Sequence, residues 1–385
     1  MIIEAPPVTS TIWHYHGPRA LRAIAEPLRS AGLLPAPFLG MEPTFLAEGF
    51  EGDDPGAHVA YADNRPTAYM PWVVRRAHFA VAVGPVVVLR PPSRQLRVFG
   101  CLAAEGQASP TFEMLLDCLR EAPKWHVARL FELPAASELA RCVDRLAVEG
   151  RSGYHVSIDE FKTWQVTLAR DFESYLKEQF SRKTRYNLKR EVRLLDEAAP
   201  GQVEVAIYTA PDRVSEFLRD VWTIGKLAYQ WRLGLSRVAK IPRLADRLTE
   251  LARRGQLRGY VLRVRGAPAA YCLATVRGTG LSYDDVGYDP RLAALHPGKV
   301  LLYRILEDLH ATRVVDELEF GRGGAGYKIL FANSSRRAIN GSIYAPTGYG
   351  RMLRALVATA DSAYRRLRPA LRPVMPYVKR TFRGA

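Results

Sequence analysis

Segments with strand patterns and segments with helix patterns alternate along most of the chain, and this alternation restricts the fold more than any other feature. The helix patterns of the first half are RALRAIAEPLRSAG (19–32), TFEMLLDCLREA (111–122) and SELARCVDRLAVEG (137–150). Its strand patterns are HVAYAD (58–63), RAHFAVAVGPVVVLRPP (76–92), QLRVFG (95–100) and WHVARLFELP (125–134). Strands separated by helices of about a dozen residues predict a mixed α/β domain.

A second series of strand and helix patterns starts near residue 155. Its segments are, in order, HVSI, WQVTLA, DFESYLKEQF, SRKTRYNLKREVRLLDE (181–197), EVAIYT (204–209), PDRVSEFLRDVWTIGKLAYQW, IPRLADRLTELARRG, RGYVLRV, AAYCLATVRG, GLSYDDVGYD, PGKVLLYRILEDLHAT and VVDELEF. An Arg-Gly-Ala-Pro turn between RGYVLRV and AAYCLATVRG predicts a hairpin. The two halves share this rhythm without a strict short repeat, which is compatible with a duplicated unit.

The chain is basic, with a net charge of +16 and a pI of about 9.8, which favours anionic partners. Half of this charge lies in residues 349–385, which contain nine Arg or Lys and one Asp. This tail begins as an amphipathic helix and is then interrupted by Pro369, Pro373 and Pro376. We expect no regular structure beyond those prolines.

Nothing in the sequence indicates a disulfide framework, a metal site or a membrane span. The cysteines, too far apart in sequence for a zinc knuckle or a redox pair, are Cys101, Cys118, Cys142 and Cys272. Such cysteines are usually buried, and His296 and His310 belong to no metal-ligand pattern. The N-terminus lacks a signal-peptide pattern, and the longest apolar run (79–89) is too short for the ~20 residues of a bilayer span. We expect a cytoplasmic protein without a metal.

The basic stretch at 181–197 predicts a helix that begins after Ser181 as N-cap. Leu188, Val192 and Leu195 form an apolar stripe, and the cations follow the same period on another face. Pattern alone favours a solvated basic face, and a contact with nucleic acid or a membrane surface stays open.

Two glycine-containing segments are candidate anion sites. HPGKV places Gly298 and Lys299 in the first turn of a helix, where free N–H groups and the helix dipole suit a pyrophosphate. FGRGGAGYK (320–328) follows a strand, and its Arg322 and Lys328 can supply charge. Neither segment has the spacing of a nucleotide P-loop or a dinucleotide fingerprint, and a helix start or surface loop without a ligand remains the alternative.

Carboxylates and aromatic side chains supply the other candidates. Asp284 and Asp285 lie near the end of the strand YDDVGYD and are proton-transfer groups, although for either residue alone the pattern favours a solvated strand end. Trp222 and Trp231 have helical spacing, which favours core positions over a substrate site. The sequence has no pattern that indicates a covalent nucleophile.

Five motifs in one order resemble a known family. They are SRKTRYNLKRE, the Trp-Arg of YQWRLG, GAPAAYCLATVRG, SYDDVGYDPRLAALHPGKVLLYRILEDL and LEFGRGGAGYK. In this order the chain resembles the acetyltransferases of the GNAT superfamily named after cellulose-biosynthesis proteins (CelD/BcsL-like), which are related to the FemAB peptidyltransferases. The resemblance covers nearly the whole chain and is strongest from about residue 160 to residue 346.

The resemblance implies two tandem GNAT-like domains, at 1–160 and 161–346, followed by a basic tail at 347–385. In such enzymes an acyl-CoA lies where two central strands separate, and the acceptor attacks the thioester directly. The resemblance makes SYDDVGY the strand before this gap and HPGKV the helix start that holds the pyrophosphate. The usual GNAT loop, Q/R-x-x-G-x-G/A, is reduced here to a single glycine, so the donor is less defined than the fold.

The implied site residues fall into three groups. Asp284 or Asp285 would accept a proton from the acceptor, and Tyr327 would protonate the leaving thiolate. Those expected to bind acyl-CoA are Gly298, Lys299 and Val300. Those expected to bind substrate are Arg185, Trp231, Arg322 and Lys328.

Three functions remain open from the sequence. The first is an acyl-CoA-dependent transferase, acting on an amine or hydroxyl of an exopolysaccharide or envelope glycan. The second is a FemAB-like transferase that uses aminoacyl-tRNA. The third is a non-catalytic module that docks on a polysaccharide synthase complex or on the inner face of the membrane through its basic tail.

Overall fold

The computed structural model describes residues 11–34, 41–48, 53–84, 86–104, 110–149, 153–227, 244–323 and 325–371. By their internal contacts the residues of the chain form two compact units. One unit is Met1–Phe161 with Arg337–Ala385, and the other is Lys162–Arg336.

The elements up to residue 149 alternate between strands and helices. They are β1 (Thr11–His16), α1 (Pro18–Ser30), α2 (Pro43–Glu48), β2 (Asp54–Ala62), β3 (Arg65–His78), β4 (Val81–Val83), β5 (Val86–Leu89), β6 (Pro92–Val98), β7 (Leu102–Ala103), α3 (Thr111–Glu121), β8 (Val127–Pro134) and α4 (Glu138–Glu149). Each helix pattern of the first half is confirmed within two residues at either end. The strand predicted over 76–92 is instead the end of β3 followed by the β4–β5 hairpin, which turns at Gly84 with a φ of 60°.

The elements from residue 155 onward are longer. They are β9 (His155–Thr167), α5 (Phe172–Gln179), α6 (Arg182–Ala198), β10 (Val203–Tyr208), α7 (Val214–Gly225), α8 (Leu244–Arg253), β11 (Leu257–Val264), β12 (Ala267–Arg277), β13 (Gly280–Tyr288), α9 (Pro297–Thr312), β14 (Glu317–Arg322), α10 (Gly326–Phe331), β15 (Ser334–Tyr344) and α11 (Gly348–Leu371). The predicted hairpin between β11 and β12 is confirmed, and Arg265 and Gly266 both have the positive φ that its two-residue turn requires. Helix α11 continues through Pro369, where an interruption was predicted, to Leu371.

The sheet of the first unit has the strand order β1-β2-β3-β6-β8-β15. Strands β6 and β8 are parallel, and the other neighbours are antiparallel. The sheet of the second unit has the order β10-β11-β12-β13-β14-β9, again with one parallel pair, β13 and β14. The mixed α/β fold predicted from the sequence is confirmed, and both units have the same pattern of parallel and antiparallel neighbours. The sixth strand follows the others along the chain in the first unit (β15) and precedes them in the second (β9).

Strand β15 explains where the compact units begin and end. It follows the helix after β14 but pairs with β8 of the first unit, from Ala338 to Tyr344. Residues after Arg336 therefore group with the first unit rather than with 161–346. Whether fragments with the expected limits, 1–160 and 161–346, fold on their own stays a prediction.

Helices cover both faces of the second unit's sheet because side chains alternate along its strands. On β12, Ala270, Cys272 and Ala274 contribute to the core beneath α5, α6 and α9. Tyr271 and Leu273 contribute to the core beneath α7 and α8.

Three of the four cysteines are buried and Cys101 is partly buried, as predicted. Within the described ranges, every helix is too short or too polar to span a lipid bilayer.

Candidate active site

The parallel strands β13 and β14 separate after a short paired stretch. They pair only from Gly280–Ser282 to Glu317–Glu319, while β13 continues to Tyr288. Each strand has a bulge at this point: the register places Asp284 as the extra residue of β13 and Phe320 as the extra residue of β14. Because a bulge bends its strand, the two strands diverge here, and no described residue of β14 pairs with β13 beyond Ser282. The sheet therefore opens between β13 and β14 beyond Ser282.

Helix α9 begins after β13, and the side chain of its N-cap residue, His296, makes no capping hydrogen bond. His296, the residue before the helix, has a left-handed φ of 50° and turns the chain into Pro297. Pro297 has no N–H group, and the amides of Lys299 and Val300 donate to the His296 carbonyl at 3.0 and 3.1 Å. A Cβ on Gly298 would lie 3.6 Å from the Tyr288 ring, an ordinary contact, so packing within the chain does not require glycine there. Backbone N–H groups at such a helix start suit an anion.

The side chain of Lys299 is held by a carboxylate of α6. Its Nζ atom lies 2.7 Å from Glu191 Oε1. The second oxygen, Glu191 Oε2, is buried and accepts no hydrogen bond from any described residue, a costly arrangement for a polar atom. Helix α6 thus borders the start of α9, and Glu191 is the counter-charge of Lys299.

Three aromatic rings lie close together where the strands separate. The Tyr283 and Phe320 centroids are 5.5 Å apart, and the Tyr327 ring is 6.3 Å from Tyr283 and 6.0 Å from Phe320. Burial raises the pKa of the Tyr283 phenol well above its usual value, so this group stays protonated. Tyr327, the expected donor to the leaving thiolate, therefore lies beside the bulged residue of β14.

Asp284 and Asp285 have different partners although they are neighbours. Asp284 accepts hydrogen bonds from Thr275 Oγ1 at 2.5 Å, Arg277 Nη2 at 2.9 Å and Ser282 Oγ at 2.7 Å. Asp285 is buried, and its Oδ1 accepts a hydrogen bond of 2.7 Å from the Tyr271 hydroxyl. Both carboxylates stand at the bulge, one held by a guanidinium and one by a phenol.

Cys272 of β12 is excluded as a thiolate nucleophile by its surroundings. It is fully buried, and burial, with the negative charges of Asp284 and Asp285, raises the pKa of its thiol well above the usual value. A neutral thiol is a weak nucleophile, which is consistent with direct attack by the acceptor.

Two of the four residues expected to bind substrate, Arg185 and Lys328, donate hydrogen bonds to backbone carbonyls. Arg185 Nη1 donates to the Phe180 carbonyl at 2.6 Å, which ties α6 to the end of α5. Lys328 Nζ donates to the carbonyls of Phe320 and Arg322 at 2.6 and 2.8 Å and so closes the loop between β14 and α10. Arg322 is exposed at the end of β14. Trp231 lies outside the described residues.

One expectation about the core is wrong, and several site features were missed. Trp222, predicted to be a core residue, lies on an exposed side of α7 and is 48% exposed. The sequence reasoning also missed Tyr283 and Glu191. Tyr283 could have been found, because it is an aromatic residue directly before the two aspartates. Nothing in the sequence, in contrast, pairs Glu191 with Lys299, which lies 108 positions away.

The strand topology, the bulges at the parallel pair and the following helix start define a GNAT-like unit. Residues 182–329 match the model of a family described as an acetyltransferase (GNAT) domain. Residues 182–329 are therefore similar to an acetyltransferase domain of the GNAT type, and the first unit has the same pattern of strand neighbours. No curated protein matches the chain in sequence.

Several solved structures are similar to the chain. The C-terminal domain (DUF2156) of a putative lysylphosphatidylglycerol synthetase from Agrobacterium fabrum is 10% identical, with a TM-score of 0.51 over 88% of this chain and 96% of that one. FemX is 10% identical, with a TM-score of 0.49 over 75% and 88%. A tandem GNAT protein from the clavulanic acid biosynthesis pathway is 11% identical, with a TM-score of 0.46 over 88% and 100%. At such identities the likeness concerns the fold alone.

Proposed function

We propose that this protein transfers an acetyl or other acyl group from acyl-CoA to an amine or hydroxyl acceptor of an exopolysaccharide or envelope glycan. One observation carries the proposal: β13 and β14 separate where each strand has a bulge, and β13 leads through a short turn into a helix whose N-cap side chain makes no capping hydrogen bond. A thioester inserted between the strands would meet backbone groups of β13 that β14 leaves unpaired. The pyrophosphate of the same donor would lie at Gly298, Lys299 and Val300.

The proposed chemistry is a single transfer within a ternary complex. The acceptor's nitrogen or oxygen attacks the thioester carbonyl while a carboxylate accepts its proton, and the C–S bond then breaks. The contacts favour Asp285 as this base over Asp284, because Asp284 already neutralises Arg277. Tyr327 would donate a proton to the departing thiolate, and its own proton would be replaced from solvent. Arg322 would bind an anionic group of the donor or acceptor.

The helix α6 favours a second candidate, in which the donor is aminoacyl-tRNA. Of its cations, Arg182, Lys183, Arg190 and Arg193 are all exposed. They adjoin Tyr186, which is 59% exposed, and an exposed aromatic among cations suits nucleic acid. The two candidate functions differ in the donor that the second unit binds. Binding measurements with acyl-CoA and with tRNA therefore distinguish them.

The decisive experiment compares the two donors on the intact protein. Native mass spectrometry of the purified protein should show co-purified CoA species, and acetyl-CoA should raise the melting temperature. Binding of tRNA with a steep salt dependence, and no shift with any acyl-CoA, would replace the first proposal with the second. Binding of neither donor would favour a non-catalytic docking module.

A further inference from the structure

The β4–β5 hairpin of the first unit is an insertion that the fold does not require. In the second unit the corresponding strands, β12 and β13, are joined by the two residues Gly278 and Thr279. In the first unit the connection between β3 and β6 contains β4 and β5, which form a separate two-stranded sheet. An inserted hairpin that adds no strand to the main sheet needs another reason for its sequence.

The outer strand of this hairpin exposes four consecutive apolar side chains. Val86, Val87, Val88 and Leu89 are 60, 40, 57 and 46% exposed. Single exposed apolar residues are ordinary, but an uninterrupted exposed run on an edge strand promotes association. Val81 of the inner strand, in contrast, is buried. The hairpin thus has one packed strand and one apolar strand that faces solvent.

A basic helix holds the hairpin. Leu353 and Ala360 of α11 are buried in a cluster with Val81, and the turn at Gly84 touches the Tyr364 ring so closely that a Cβ would approach it to 2.3 Å. The exposed charged residues of α11 are Arg351, Arg354, Arg365, Arg366 and a single acid, Asp361. The helix that packs against the hairpin is therefore basic on its exposed side.

A cationic cavity of about 510 Å³ opens at the base of the same hairpin. Its polar lining includes Arg76 and His78 from the end of β3, Arg94 from β6, and His126. None of the described lining residues is acidic, and the nearest ion-pair partner, Asp54, lies 4.0 Å from Arg94. The walls are fixed, because the Tyr349 hydroxyl donates to the Pro92 carbonyl at 2.5 Å and the His126 ring packs 4.5 Å from that of Tyr349.

We propose that this face of the first unit, formed by β5, α11 and the cationic cavity, docks on a lipid bilayer that contains anionic phospholipids. The apolar strand enters the interfacial region, while a headgroup phosphate occupies the cavity and the α11 cations lie over the charged surface. A second copy of the chain is a poorer occupant, because each copy would bring Arg90 and the α11 cations against the same charges. The acyl-transfer chemistry of the second unit plays no part in this inference.

Vesicle flotation of the full chain tests the proposal. The protein should float with phosphatidylcholine vesicles that contain phosphatidylglycerol, should not float with phosphatidylcholine alone, and should dissociate as salt is raised. A double variant with Val86→Asp and Val88→Asp should bind about tenfold more weakly or worse. Val148→Asp is the matched control, because Val148 is 87% exposed on α4 of the same unit.

The cavity is tested separately by Arg76→Gln, which should weaken vesicle binding about fivefold. Arg22→Gln, which removes an exposed cation from α1, should change it little. Failure to float with anionic vesicles would overturn the proposal. So would a concentration-dependent dimer that the double variant abolishes, or saturable binding of inorganic phosphate without vesicle association.

Discussion

Asp284 and Asp285 differ in what surrounds each carboxylate, and so the effects of replacing them should differ. Asp285→Asn keeps an acceptor for Tyr271 and should lower kcat about a hundredfold, the usual contribution of a general base, with little change in melting temperature. Asp284→Asn removes the negative charge that pairs with Arg277 and should mainly reduce the free energy of unfolding, by about 1–3 kcal/mol. Steady-state kinetics at saturating substrate and thermal unfolding separate the two effects. Full activity in both variants would disprove the assignment of the base.

Replacing either of two glycines near the site by alanine should have different effects on stability. At Gly287 a Cβ would lie 2.5 Å from the Tyr271 ring, so Gly287→Ala should displace that ring and cost about 1–3 kcal/mol of stability. At Gly298 a Cβ makes only an ordinary contact, and Gly298→Ala should leave stability within about 0.5 kcal/mol. If acyl-CoA binds at that helix start, the new methyl should nevertheless weaken its affinity. Thermal unfolding and calorimetric titration with acetyl-CoA check the pair, and unchanged affinity in Gly298→Ala would place the pyrophosphate elsewhere.

At the residue scale, local hydrogen bonding and periodicity were predictable, but partners distant in sequence were not. Ser181 accepts a hydrogen bond from the Thr184 amide, and Leu188 and Leu195 are buried, as the helix pattern predicted. The bulge that makes Asp284 an extra residue depends on the pairing of β13 with β12. That register follows from packing over the whole sheet, so no local pattern near residue 284 reveals it.

At the element scale, the contact between α6 and α9 should control binding at the start of α9. Glu191 neutralises Lys299, and Glu191→Gln would free a positive charge at the uncapped turn. We expect a roughly three- to tenfold tighter binding of acetyl-CoA, since a cation beside a helix N-terminus favours a pyrophosphate. Glu197→Gln, which changes an exposed carboxylate of the same helix, is the control. Weaker binding in Glu191→Gln would instead mean that Glu191 orients Lys299 toward its ligand.

The pairing of β1 with β2 should make the first unit sensitive to acid. His58 is buried, its ring stacks 4.7 Å from that of His14, and its Nδ1 accepts a hydrogen bond from Trp72 Nε1. Burial, assisted by His14, lowers the pKa of His58 to about 3. Between that value and the ordinary 6.5, the unfolded state binds a proton that the folded state does not, so stability falls as the pH falls.

The expected slope for this single group is up to about 1.4 kcal/mol per pH unit. Denaturant unfolding at about pH 7 and about pH 5, for the wild type and for His58→Gln, measures it. Because burial also lowers the pKa of the neighbouring His14, only the difference between the two proteins reports on His58. An equal loss of stability in both would contradict the assignment.

Element types were more predictable than element pairing. The helices α1, α3, α4 and α9 follow long amphipathic or apolar patterns with clear ends, which local sequence defines well. Strand β15 and the short helix α10 were not predicted. The β15 segment, SSRRAINGSIY, mixes cations and small residues on its exposed part, and its strand form depends on its pairing with β8.

At the scale of the whole molecule, the resemblance to tandem GNAT proteins predicted the duplicated topology, but not where the compact units end. The strand at the end of each sheet order determines the limits of the units. Strand β9 pairs with β14 from Thr163 to Thr167, and β15 pairs with β8. A boundary drawn between consecutive segments of the chain misses such an arrangement, since pairing partners need not be neighbours in sequence.

The position of α11 changes what a C-terminal truncation can show. Deleting residues 348–385 would remove Leu353 and Ala360 from a core that includes Phe79 and Tyr344. Each buried apolar side chain contributes about 1.5–3 kcal/mol, so this variant should lose cooperative unfolding of the first unit.

Deleting residues 372–385 retains every described contact of α11 and should leave the melting temperature unchanged. Calorimetry and hydrogen exchange across the first unit check both variants; equal stability of the longer and shorter deletions would contradict the packing of α11 on the hairpin. The shorter deletion therefore tests whether the terminal cations themselves bind a membrane, without disturbing the fold.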